Sequence, residues 1–169
     1  MKQRPACKSD GRPSEQGLYR DAEAAYDFIA GQGFRPEQII IHGESLGTAV
    51  ATWLATKRPC GGVVLEAPFT SAKAVAGRIL PILGPALVWG FDNMSRMKEV
   101  RTPVLIIHGD RDEVIAYEFG QQLFVAANEP KSFWTIPGAT HNDLHVIGRR
   151  EFPSRLANFY KSLTASTSG

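Results

Sequence analysis

Hydrophobic positions along the chain follow two alternating periods. Leu18, Ala22, Ala25, Tyr26 and Ile29 recur at helical spacing, with Ser14 placed as an N-cap and Gly31 as a stop. Leu46, Ala49, Val50, Trp53 and Leu54 form a second helical stripe that ends before Pro59. Phe119, Leu123 and Ala127 predict a third, and Phe152, Leu156, Phe159, Tyr160 and Leu163 a last one. Between them stand short apolar runs: Ile39 to Ile41, Val63 to Leu65, Val104 to Ile107, and Phe133 to Ile136. These runs are continuous rather than alternating, as expected of strands covered on both faces. Strand–helix alternation then predicts an α/β fold: a parallel sheet flanked by helices on both faces.

One stretch breaks the rhythm. Thr70 to Val100 is too long for a simple connection and carries Ile79, Leu80, Ile82, Leu83, Leu87, Val88, Trp89 and Phe91 among glycines and prolines. It reads as a short helical, lid-like insertion at about residues 70–98 within a single domain spanning 1–169. The first dozen residues and the tail from Thr164 to Gly169 are polar or small and are expected to be poorly ordered.

The strongest chemical signal is Gly43-Glu44-Ser45-Leu46-Gly47, which fits G-x-S-x-G. A predicted strand runs into it and a predicted helix leaves it, the context that a nucleophile elbow requires. Gly43 and Gly47 are expected to let strand and helix approach closely. Ser45 then projects from the sheet end, and the Leu46 amide is placed to donate to an oxyanion. A serine needs a base to take its proton. Four histidines are available. His42 and His108 sit at strand ends and suit space-filling or hydrogen-bonding roles. His141 lies in a loop after the last strand, where a parallel sheet presents catalytic groups. His145 is the second choice, on the first turn of the last helix. Of the carboxylates after the third strand, Asp110 suits closing the turn and Glu113 a solvent-facing position, leaving Asp112 to orient the base. The order Ser45, Asp112, His141 is the one this arrangement uses.

These motifs resemble the α/β-hydrolase superfamily, above all its small esterase-like, lipase-like and serine-aminopeptidase-like branch that includes the Bem46-type proteins. The resemblance is carried by residues 11–19, Ile41 to Gly47, Pro103 to Ile115 and Gly138 to His141. It implies hydrolysis of a small-molecule carboxylic ester through an acyl-serine, without cofactor, with Ser45, Asp112 and His141 in their three roles. Substrate contacts are expected from Glu44, Phe69 and Trp89, the last two framing an apolar pocket for short or medium acyl chains. The resemblance also implies a truncated fold, because members carry further strands, and a second oxyanion loop, ahead of those read here. Loss of one such donor costs roughly 10²–10³ in rate. The Ile39–Ile41 strand is then expected to expose an apolar edge that pairs in a homodimer or other homo-oligomer. The alternative reading is a weak or inactive fragment that serves as a binding module.

Composition narrows the picture only a little. At 43% hydrophobic and 21% charged the chain is that of an ordinary globular protein. With 19 basic and 17 acidic residues and no basic cluster, it offers nothing to nucleic acid. Cys7 and Cys60 lie in no metal-binding spacing, so free thiols and no metal site are expected. No apolar stretch follows the basic start, and Ile79 to Phe91 is shorter than the ~20 residues a bilayer requires. A cytoplasmic protein without stable membrane insertion is the expectation; a membrane-associated role through Ile79 to Phe91 is the least favoured reading.

Overall fold

The computed structural model describes residues 14–79 and 90–165. Four strands, β1 (Ile40–Glu44), β2 (Gly62–Glu66), β3 (Val104–Gly109) and β4 (Lys131–Ile136), form one parallel sheet in the order β1-β2-β3-β4. The helices are α1 (Glu15–Gly31), α2 (Leu46–Lys57), α3 (Ala72–Ile79), α4 (Asn93–Met97), α5 (Tyr117–Ala126), α6 (Leu144–Ile147) and α7 (Phe152–Ala165).

Continuous apolar runs give these strands two buried faces. Val63, Leu65, Val104 and Ile106 point into a core shared with Tyr26 of α1, Ala51 and Leu54 of α2, and Leu123 of α5. Val64, Leu105 and Ile107 point the other way, against Trp134, Ile136, Leu144 and Phe152. Val63, Val64, Leu65, Ile106 and Ile107 have no exposed surface, and each such side chain contributes about 1.5–3 kcal/mol of burial. The N-cap expected at Ser14 is present: its hydroxyl accepts from the Gly17 N–H at 3.1 Å.

Ile39 and Ile41 are buried, with α1 and α2 covering that face, as a strand covered on both faces requires. What β1 leaves open is its backbone edge, which carries no strand opposite β2 among the described residues. His145 lies on the separate short helix α6, not on the last helix. Of the insertion, α3 and α4 are described, whereas Trp89 and Leu80 to Val88 lie outside the described residues. Glu15 of α1 holds the far end of this segment, accepting from the Phe91 N–H at 2.9 Å and pairing with Arg96 at 3.0 Å. Cys60 is a free thiol whose pKa is pushed up by burial; Cys7 lies outside the described residues. Among the described residues no helix is long and apolar enough to cross a membrane.

Candidate active site

The turn at Ser45 follows from its glycine and its backbone angles. Ser45 stands between β1 and α2 with φ 49° and ψ −117°, a left-handed conformation that side-chain-bearing residues seldom adopt. Two contacts hold the turn: the Ser45 N–H donates to the Glu66 carbonyl at 2.9 Å, and the Ser45 carbonyl accepts from the Thr48 hydroxyl at 2.6 Å. Gly43 is required for the close approach of strand and helix, because a Cβ there would stand 2.3 Å from the Gly47 carbonyl oxygen. Gly47 itself has open space where a Cβ would lie, so the expected need for glycine holds at one position and not at the other.

Ser45, His141 and Asp112 meet in one hydrogen-bonded chain. His141 Nε2 lies 3.1 Å from Ser45 Oγ, and His141 Nδ1 lies 2.8 Å from Asp112 Oδ2. Both partner residues stand on loops at the carboxyl ends of β3 and β4, and the loops are latched together. Asp110 Oδ1 accepts from the Gly138 N–H at 2.6 Å, and the Arg111 N–H donates to the Ala139 carbonyl at 3.0 Å. Asp110 therefore does more than close its own turn.

Asp112 is buried, and its Oδ1 accepts from the Val114 and Ile115 N–H groups at 2.9 and 2.7 Å. Burial on its own raises the pKa of this carboxyl. Hydrogen bonds from His108, His141 and the Ile115 N–H outweigh burial and hold it below the usual carboxylate range. His108 is fully buried; its Nε2 stands 3.1 Å from the Ile115 carbonyl oxygen and 3.4 Å from Asp112 Oδ2. The hydrogen-bonding role read for His108 thus bears on Asp112 itself.

A depressed carboxylate pKa makes a definite stability prediction. The stabilisation that Asp112 contributes is present above its unfolded value, about 3.9, and is lost as pH falls through its folded value. Denaturant unfolding should show Asp112→Asn less stable than the parent at pH 7, with the gap narrowing at pH 3. A gap that widens in acid would contradict this.

The remaining site residues separate. A cavity of about 320 Å³ opens beside Ser45 and Leu46, lined by Phe69, Ala72, Val75, Ala76 and Ile115. Phe69 belongs to its wall. Leu46 opens α2, where the amide has no intrahelical acceptor. Glu44 does not line the cavity; it meets Glu66 and His145 instead. His42 Nε2 lies 2.6 Å from Glu66 Oε1. The sequence offered no sign of Glu66, which reads simply as the polar end of an apolar strand.

Comparison with known proteins bears on the fold. The chain is 39% identical over 152 residues to an uncharacterized protein of Mycobacterium tuberculosis, covering 88% of this chain and 54% of that one. It is 37% identical over 153 residues to human alpha/beta hydrolase domain-containing protein 17B, covering 89% of this chain and 51% of that one. The relatives' names and the α/β-hydrolase fold of the chain support placing it with the α/β-hydrolase superfamily. No family model matches it. Its α/β-hydrolase fold is shared with an esterase of Pyrococcus furiosus at a TM-score of 0.73 and 19% identity, covering 92% of this chain and 65% of that one. A monoacylglycerol lipase of Paleococcus ferrophilus gives a TM-score of 0.65 at 21% identity, covering 86% and 76%. The chain spans about half the length of the curated relatives it matches.

Proposed function

We propose that this α/β-hydrolase chain is a serine hydrolase that cleaves carboxylic esters of short or medium acyl chains. The observation that carries the proposal is the continuous chain Ser45 Oγ, His141 Nε2, His141 Nδ1, Asp112 Oδ2, with links of 3.1 and 2.8 Å. Ser45 Oγ attacks the ester carbonyl carbon while His141 Nε2 takes its proton. Asp112 holds the imidazole in the required tautomer and stabilises the imidazolium. The Leu46 N–H donates to the oxyanion of the tetrahedral intermediate. Collapse breaks the bond to the alcohol, which leaves with the proton from His141. A water molecule, deprotonated by His141, then releases the acid and restores Ser45.

The apolar cavity beside Ser45 supports the acyl preference. Its wall of Phe69, Val75 and Ile115 offers no polar side chain to an acyl tail. Its volume of about 320 Å³ accommodates a short or medium acyl chain. Hydrolysis of p-nitrophenyl esters from acetyl to palmitoyl tests this. The kcat/KM is expected to rise through butyryl by a few-fold per methylene, as apolar burial predicts, and to fall by octanoyl or beyond. A preference for palmitoyl would overturn the acyl assignment. No turnover of any ester by folded protein would favour the weak or inactive binding module.

A further inference from the structure

A second cluster of chemically active side chains lies at the carboxyl ends of β1 and β2, apart from the triad. Glu44 and Glu66 are register partners on neighbouring parallel strands, so their side chains leave the same face of the sheet. His42 precedes Glu44 by two residues and shares that face. His145 approaches from α6. One ligand atom each from Glu44, Glu66 and His145 fall within 4.8 Å of one another.

The state of Glu66 is the decisive observation. Its side chain is 1% exposed. Oε1 is engaged by His42 Nε2 at 2.6 Å. Oε2 is buried and has no aligned hydrogen-bond donor among the described residues; its contact is an ion pair with His145 Nε2 at 2.8 Å. A buried carboxylate oxygen without a donor is costly, and such a group calls for a ligand. Here that oxygen faces the imidazole nitrogen of its ion-pair partner His145 and a second carboxylate.

We propose that Glu44, Glu66 and His145 form a binding site for a divalent transition-metal ion of the zinc class. Two carboxylates neutralise the dication, and the imidazole nitrogen favours zinc-like ions over calcium or magnesium. Ligand atoms about 2.0–2.2 Å from a shared ion stand roughly 3.0–3.4 Å apart, so the His145–Glu66 pair needs only a small relaxation. His42 acts from the outer shell: its bond to Oε1 turns Oε2 toward the ion. The His145 ring lies against Phe152 at 4.2 Å, which limits its rotation. Glu44 and His145 are on the solvent side, leaving the ion an entry path. Glu66 also links this site to the nucleophile turn, since its carbonyl accepts the Ser45 N–H.

The test is calorimetric titration of Zn²⁺ into the full chain after chelator treatment, beside Glu44→Gln, His145→Ala and His42→Ala. Glu44 and His145 are exposed, so their replacement spares the core, and circular dichroism verifies the fold of each variant. The expected result is one equivalent of Zn²⁺ bound by the parent chain. Affinity should fall roughly 10–100-fold in His42→Ala, the size of an outer-shell effect, and further in the two ligand variants. Absence of binding to the folded parent, or binding that either ligand variant leaves unchanged, would overturn the proposal.

Discussion

Ser45→Ala is expected to reduce ester hydrolysis to the buffer rate, His141→Ala to do the same, and the double variant to fall no further. The three follow from one hydrogen-bonded chain: without the base, the serine keeps its proton, and without the serine, the base has nothing to activate. Where the oxyanion hole is complete, loss of either member costs on the order of 10⁶ in kcat. The measurable loss is bounded by the uncatalysed buffer rate. Losses that multiply in the double variant would mean the two residues act independently, contrary to this reading.

Gly43→Ala is expected to damage both stability and catalysis, whereas Gly47→Ala is tolerated. At Gly43 a methyl group would stand 2.3 Å from the Gly47 carbonyl oxygen and 2.9 Å from Ala51 Cβ. The first contact is backbone, so β1 and α2 must separate. Overpacking of this kind costs typically 1–3 kcal/mol, which for a domain of this size lowers Tm by roughly 2–12 °C. The same shift displaces Ser45 against His141, and a 1 Å misplacement costs on the order of 10² in rate. At Gly47 nothing among the described residues lies within 4 Å of a new methyl group, and alanine is the better helix former by up to about 1 kcal/mol. Thermal unfolding of the two variants side by side checks the contrast; equal damage at both positions would contradict it.

This contrast also marks what the sequence carries and what it does not. The G-x-S-x-G spacing between a strand and a helix locates the turn, but spacing treats its two glycines alike. Only the packing of β1 on α2 separates the one that is crowded from the one that is free. The sheet was legible because continuous runs such as Val63 to Leu65 and Val104 to Ile107 bury both faces, and period and burial agree there. Ser45, Asp112 and His141 were legible because each follows a strand at the end where a parallel sheet presents its loops. Glu66 and His145 were not. Their meeting depends on the pairing of Glu44 with Glu66 across β1 and β2, and on where α6 turns back over the sheet. Neither leaves a local pattern in the chain.

The central claim is that Ser45 is an activated nucleophile. Treatment of the purified chain with an alkyl fluorophosphonate, followed by peptide mass spectrometry, tests it most directly. One phosphonyl adduct per chain is expected, formed on Ser45 with loss of fluoride, and none in His141→Ala. A folded protein that leaves Ser45 unmodified, or that is modified equally with and without His141, would contradict it.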